Sequence, residues 1–190
     1  MRIIDDETNM DQWLKILRDS LTRENEDRPT VMILATLSRN GSPRARCVVC
    51  RAIDNDGSIW FVSDKRSRKN EQIRMHRTVE LVFWLPNLKR QYRVRGEGRI
   101  AAPDDARTGS LWHDLPDTTR ATFFWPEPGA PKRDDAEFAR EIGSDIGPPA
   151  NFQAIAIHPT LVEELDLTSH PHRRQRWRRK TQWRVQQLNP

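Results

Sequence analysis

The chain has 190 residues, of which 36% are hydrophobic and 31% charged, with a formal net charge of +5. That length favours one domain with enough chain for a core, and no stretch approaches the roughly 20 apolar residues of a membrane helix. Two cysteines do not make a disulfide scaffold, and the acidic start Met1-Arg2-Ile3-Ile4-Asp5-Asp6-Glu7 lacks the apolar stretch of a signal peptide, so a cytoplasmic protein is expected.

In chain order, Asn9 to Glu24 predicts a helix, with Trp13, Ile16, Leu17 and Leu21 on one face and Asn9 as cap. The polar run from Glu24 to Pro29 ends it. The period then changes. Val31 to Leu37 is a continuous apolar run, the pattern of a strand covered on both faces. Asn40-Gly41 predicts a hairpin turn in which both central residues take positive φ. Arg44 to Ala52 is the partner strand, and Asp56-Gly57 leads into a third strand over Ser58 to Ser63, completing a meander.

Ser67 to Met75 predicts a short helix capped by Ser67. Val79 to Trp84 and Lys89 to Ala101 are two further strands, the second with Gln91, Arg93 and Arg95 on one face and Tyr92 and Val94 on the other. Residues 103–149 are rich in Pro, Asp and Gly, with helices expected over Asp104 to Trp112, Asp117 to Phe124 and Asp134 to Ile142, and a loop over Trp125 to Pro131. Strands resume at Phe152 to Ile157, Val162 to Leu167, Arg174 to Arg179 and Trp183 to Leu188. Many short strands with helices inserted to one side predict a mainly β fold, an antiparallel barrel closed or nearly so, over a single domain of residues 1–190.

Cys47 and Cys50 form a C-x-x-C. Redox pairs of this kind sit at a helix N-terminus, whereas this one lies in a strand, where three positions apart puts the thiols on opposite faces. Two buried structural cysteines are expected. His170 and His172 bracket Pro171 without a third ligand, so no metal site is expected.

Cations mark the chemistry. Ser67-Arg68-Lys69 places a hydroxyl and two cations in a first helical turn, where backbone N–H groups are free and anions are favoured. Arg46 sits in an apolar strand beside Val48 and Val49 and needs a partner. Arg46 and Lys69 converging on one phosphate would supply it, with Ser63 adding a hydroxyl. Gln91 donates and accepts, which suits the mixed edge of a flavin ring. A solvated turn and an outward polar strand residue are the ordinary alternatives for Ser67–Lys69 and Gln91.

Three blocks, A-T-L-x-x-x-G-x-P-x-x-R-x-V-V from Ala35, S-D-x-R-S-x-K from Ser63 and R-Q-Y-R-V-x-G from Arg90, resemble the FMN half of the pyridoxamine 5′-phosphate oxidase family. The tail from Phe152 resembles that family's C-terminal half, and Leu111 to Gly129 is similar to a subgroup mostly unassigned in activity. The resemblance implies a split β-barrel that forms a homodimer with FMN at the subunit interface. It matches Arg46 and Lys69 to phosphate ligands, and Val48, Val49, Val62 and Ser63 to positions lining the cofactor. Arg68 matches another cofactor contact, Gln91 the residue meeting the ring, and Arg174 an arginine reaching the partner chain's flavin; Ser67 and Arg51 belong to the same cofactor set. It also implies a substrate-phosphate group of Lys, Tyr, Arg and Ser, at which this chain carries Arg51, Leu111 or Trp112, Leu115 and Thr119. A flavin-contacting tryptophan is replaced by Glu164 or Leu165, and a glutamine is lost near Gly129. The expected function is therefore an FMN-dependent oxidoreductase that does not oxidise pyridoxamine phosphate, or a non-catalytic flavin-binding module.

The basic segment around Arg173, Arg174, Arg176, Arg178, Arg179, Lys180 and Arg184 is the remaining feature; without these seven, 25 cations face 27 acids. Arginines interleaved with Trp177 could grip nucleic acid, while barrel strands with solvated arginines are the ordinary reading. The latter is expected.

Overall fold

Near residue 30 the apolar period shifts from helical to alternating, and the backbone follows it. A computed structural model describes residues 7–25, 28–143 and 145–190 of the chain; the expectations for Met1 to Asp6 and for positions 26 and 27 lie outside these residues. Helix α1 spans Glu7–Asn25, so Asn9 lies inside it rather than capping it. Trp13, Leu14, Leu17 and Leu21 are buried in the main core, with Ile16 packed against it. The Asn25 amide closes the helix by donating to the Leu21 carbonyl at 3.2 Å and the Thr30 hydroxyl at 3.0 Å.

Strand β1 (Val31–Leu37) pairs antiparallel with β2 (Pro43–Val49), from Val31 opposite Val49 to Leu37 opposite Pro43. Met32, Leu34 and Thr36 point inward and are buried. The expected cover on both faces is absent: Val31 is 54% exposed and Ile33 40%. The sheet curls around its inner face, and none of the described elements lies over the outer face of β1. The turn joining the strands uses positive φ at Gly41 (+78°) but not at Asn40. Asn40 instead accepts the Ser38 hydroxyl at 2.8 Å, giving an ordinary turn closed by a left-handed glycine.

The expected meander is not formed. Extended pairing stops at Val49, and β3 (Ala52–Ile53) pairs with β4 (Ile59–Asp64), which itself pairs with β7 (Phe152–Asp166). With β5 (Thr78–Leu85) and β6 (Arg90–Ile100) the sheet order is β2-β1-β5-β6-β7-β4-β3. Consecutive strands β2 and β3 thus occupy opposite ends of the sheet. The Cys50 N–H bonds Thr30 O at 2.9 Å on one edge and the Arg51 N–H bonds Trp60 O at 2.8 Å on the other. This two-residue crossing curls the sheet into the expected split barrel. Between β4 and β5 runs α2 (Arg68–Met75).

Two strands were expected where β7 is one. Pro159, which cannot donate to a ladder, is accommodated where the β6–β7 register shifts between Arg95 and Gly96. Strand β8 (Arg173–Arg178) pairs with β7 and with β9 (Gln186–Leu188). Trp183, expected in the last strand, instead turns in with φ 56° and packs 5.4 Å from Trp13. In the middle segment α3 spans Ala106–His113 and α4 Asp117–Ala121, with a 3₁₀ turn over Thr122–Phe124. Trp112, Leu115, Phe123 and Phe152 form a second core there. The helix expected over Asp134 to Ile142 is absent, because its backbone groups bond elsewhere. The Trp125 indole takes the Ala139 carbonyl at 2.7 Å, and Asp117 accepts the Ile142 and Gly143 N–H groups at 3.2 Å.

Neither cysteine is bonded to the other, and the expectation that both are buried is not met: Cys47 is exposed and Cys50 half-buried. Burial pushes the Cys50 thiol up to about 12, leaving it inert. Among the described residues no helix is long and apolar enough to cross a membrane.

A Cβ at Gly96 would meet the His158 carbonyl oxygen at 2.5 Å and an Ile157 methyl at 2.8 Å. Gly96→Ala should therefore destabilise the protein by about 1–3 kcal/mol through overpacking at the bulge, measured by urea unfolding. An unchanged midpoint would show that the bulge yields freely.

Candidate functional site

Register places Arg46 opposite Leu34, on the inner face of the sheet. A charge there requires partners. Arg46 donates to Leu34 O at 3.0 Å, to the Thr36 hydroxyl at 2.7 Å and to Gln72 Oε1 at 2.8 Å. The Thr36 hydroxyl also donates to Gln72 Oε1 at 2.6 Å, so α2 and β1 together fix the guanidinium. All three acceptors are neutral.

Lys69 lies one turn earlier on α2. Its ammonium donates to the Ser67 hydroxyl at 3.0 Å. Ser67 is the N-cap, as expected, but its side chain makes no bond to the helix's own N–H groups. Its hydroxyl donates instead to Asp64 O at 2.7 Å and lies 3.2 Å from that of Ser63. Burial, and then the neighbouring charge of Arg46, hold the Lys69 ammonium below its usual pKa. Burial, followed by Arg44, does the same to Arg46. Asp64, the nearby carboxylate, is engaged by Arg66 at 2.6 Å and by Asn151 at 2.9 Å. Two partly buried cations are thus held together without a carboxylate of their own.

A cleft of about 350 Å³ opens beside them. It brings together Val48, Val49, Arg51, Val62, Ser63 and Lys69, and its far wall comes from Thr119, Thr122, Phe123, Trp125 and Pro128. Arg68 is exposed at the same helix start but does not line the cleft. Arg51 also borders a second hollow of about 300 Å³ with Arg28, Asp114 and Leu115. Burial lowers the Arg51 pKa, and its Nε is buried without a hydrogen-bond partner.

Gln91 and Arg174 lie elsewhere. They share a small hollow of about 110 Å³ with Arg93, Glu163 and Leu165 on the outer face. The pairing links the two places. One row runs from Val49 to Val31 and, on the far side of β5, from Trp84 to Gln91, Leu165 and Arg174. Val31 and Trp84, the middle of this row, are 54% and 49% exposed. The cleft and the Gln91–Arg174 hollow thus lie apart, on either side of an open apolar strip.

Several groups here carried no signal in the sequence. Glu163 accepts from Arg174 at 3.0 Å and from Arg93, and lies 3.7 Å from Arg176. Burial alone would raise its pKa, but the hydrogen bonds from Arg174 and Arg93 outweigh it and hold the carboxylate below its usual value. Next to it Glu164, fully buried, accepts from the Tyr92 hydroxyl at 2.9 Å and from Gln175. Gln72 and Thr36, the holders of Arg46, read as plain polar residues in the sequence. So did Thr122 of the cleft wall, while Trp125 was read only as part of a loop and Thr119 entered only through the resemblance, as a substrate-phosphate position.

The protein matches known families and structures. The family described as pyridoxamine 5′-phosphate oxidase, FMN-binding domain, matches residues 10–102. A pyridoxine/pyridoxamine 5′-phosphate oxidase of Granulibacter bethesdensis is 31% identical over 164 residues, covering 80% of this chain and 74% of that protein. One from Thermosynechococcus vestitus is 27% identical over 164 residues, covering 83% and 76%. Among solved structures, a pyridoxamine 5′-phosphate oxidase-related FMN-binding protein from Nostoc punctiforme superposes with a TM-score of 0.84 at 28% identity, covering 94% of this chain and 97% of that one. PhzG from Burkholderia lata, solved with tetrahydrophenazine-1-carboxylic acid, shares the fold at a TM-score of 0.73 and 21% identity, covering 96% and 91%.

The folded pKa of Glu163 lies below the unfolded value of about 4.3. Its stabilising contribution is therefore complete above that value and is lost as pH falls through the folded one. Glu163→Gln should cost stability near neutral pH, and its gap from the natural protein should shrink below pH 4, followed by urea midpoints. A gap constant from pH 7 to pH 3 would mean the carboxylate is not held by its arginines.

Proposed function

Because this chain belongs to the pyridoxamine 5′-phosphate oxidase FMN-binding family, we propose that it binds flavin mononucleotide and acts as an FMN-dependent oxidoreductase. The observation that carries this reading is the cation pair of Arg46 and Lys69, each with a depressed pKa. A phosphate dianion between them would relieve their mutual repulsion and form charge-assisted hydrogen bonds. Ser63 and Ser67 supply hydroxyls beside it, and Val48 and Val62 give the cleft apolar lining that excludes water. The bound flavin would supply hydride transfer at its ring.

The exposed strip between the cleft and the Gln91–Arg174 hollow supports a homodimer. Val31, Ile33 and Trp84 form an apolar patch of the kind that marks protein contacts. A second copy laid on this strip would bring one protomer's Arg174 toward the other's cleft. Arg174 would there stabilise the negative charge that builds on a reduced flavin, and Gln91 would meet the ring edge.

Vitamin B6 phosphate does not suit the remaining space. Leu111, Trp112 and Leu115, which stand where the resemblance implies a tyrosine and an arginine, are buried apolar side chains that offer a phosphate no charge. Arg51 and Thr119 remain beside the cleft, but the charge-assisted bond of the implied arginine is lost. We therefore assign the enzyme a substrate other than pyridoxamine 5′-phosphate.

Purified protein should be yellow and release FMN rather than FAD, and a nicotinamide donor should bleach it under anaerobic conditions. Protein that takes up FMN but resists reduction would instead be a non-catalytic flavin-binding module. Arg46→Ala and Lys69→Ala should each weaken FMN binding by about 1.5–3 kcal/mol, read by flavin fluorescence titration; an unchanged affinity would put the phosphate elsewhere. FMN prefers the charged form of Lys69, whose ligand-free pKa is lowered. Affinity should hold at pH 7 and fall as pH rises through that value, and a flat profile to pH 10.5 would contradict this. Trp84→Glu should give a monomer that has lost flavin, seen together by light scattering and absorbance. A monomer of full FMN affinity would show that one protomer holds the whole site.

A further inference from the structure

A hollow of about 630 Å³ lies away from the cofactor cleft and shares no lining residue with it. Four arginines border it from separate parts of the fold: Arg74 at the end of α2, Arg77 just beyond, Arg99 on β6 and Arg179 after β8. Glu97 and His158 complete the polar lining, and Ile73 and Ile100 give it apolar surface. The walls are fixed. The Gly98 N–H bonds the Arg77 carbonyl at 2.7 Å, and His158 is held through Nδ1 at 2.9 Å from the Ser58 hydroxyl.

Several arginines of β6 and β8 are matched with acids. Arg90 pairs with Asp166, Arg93 and Arg174 with Glu163, Arg95 with Glu80, and Arg173 with Asp166. Around this hollow the pattern stops. Among the described residues, Arg77, Arg99 and Arg179 form neither an ion pair nor a side-chain hydrogen bond, and Glu97 forms no ion pair. The favourable field at a helix C-terminus accounts for Arg74, which also donates to Gln153 at 3.2 Å. It does not account for Arg99 or Arg179, which come from other elements. Arg179 further borders an adjoining hollow of about 550 Å³ with Arg178 and Lys180.

We propose that this hollow is a second ligand site, for a small organic molecule carrying two or more phosphate or carboxylate groups. Its size falls in the range of small-molecule pockets, and planar guanidiniums on several sides suit forked contacts to such groups. Ile73 and Ile100 would receive the organic body. Neither hollow is lined by Phe, Tyr or Trp, so the broad stacking platform that single-stranded nucleic acid uses is missing. The site is independent of the flavin reading, because it uses none of the cofactor cleft.

The test titrates the full chain, loaded with its flavin, with pyrophosphate, citrate and inorganic phosphate by calorimetry. Pyrophosphate or citrate should bind at least tenfold more tightly than inorganic phosphate, the stronger of the two showing which anionic group is preferred. Arg99→Gln combined with Arg179→Gln, and Arg77→Gln separately, should each weaken that binding tenfold or more while flavin absorbance stays unchanged. Equal binding of all three anions would overturn the proposal, as would variants that bind like the natural protein. Loss of binding in Lys69→Ala alone would place the anion in the cofactor cleft and overturn it too. A single-stranded oligonucleotide that binds where pyrophosphate does not would assign the surface to nucleic acid instead.

Discussion

Two like charges, partly buried and close enough for one to lower the pKa of the other, are the constraint around which this fold is arranged. Arg46 arrives on an edge strand and Lys69 on a helix, and neutral groups hold the first in place: the Leu34 carbonyl, Thr36 and Gln72. A carboxylate at any of those positions would neutralise the pair and stabilise the free protein. Burial first, and then neighbouring positive charge, leaves both groups depressed in pKa, and an anion from outside would supply the missing charge. The crossing at Cys50 and Arg51 serves the same end: by curling the sheet it sets β2 near β4, so that Val48 and Val62 line one cleft.

Where local periodicity decides structure, the sequence was legible. Trp13, Leu17 and Leu21 announced α1, Val31 to Leu37 announced β1, and Tyr92 and Val94 announced the buried face of β6. It was illegible where distant partners decide. Nothing local says that β4 abandons β2 for β7, because the two strands are separated by the whole middle segment. The strands expected over Phe152 to Ile157 and Val162 to Leu167 are one, because the opposing Gly96 lets the ladder continue past Pro159. The segment from Asp134 to Ile142 had helix-compatible spacing, but Trp125 and Asp117 claim its backbone groups. The exposed face of β1 was read as buried, since an apolar face awaiting a partner has the same composition as one already covered.

The site divides in the same way. Arg46 and Lys69 were visible because cations in an apolar strand and at a helix start are out of place, and Ser67 because it caps that helix. Gln91 was tied to the cofactor by its mixed hydrogen bonding and by resemblance, Arg174 by resemblance alone, and the fold sets both apart from the cleft. Glu163 stayed hidden, since an acid in an alternating strand has no distinctive pattern. Its effect reaches the basic tail: Arg173, Arg174 and Arg176 are answered by Glu163 and Asp166, so much of what looked like a cationic patch is neutralised within the sheet. The charge left over gathers around Arg179.

The phosphate grip is tested most directly by comparing FMN with riboflavin, which lacks only the phosphate, in the natural protein, in Lys69→Ala and in Arg46→Ala with Lys69→Ala. The natural protein should strongly prefer FMN, each lost cation should cut that preference, and riboflavin should bind almost equally to all three. Riboflavin binding as tightly as FMN to the natural protein, or a preference for FMN that survives loss of both cations, would contradict the role given to Arg46 and Lys69.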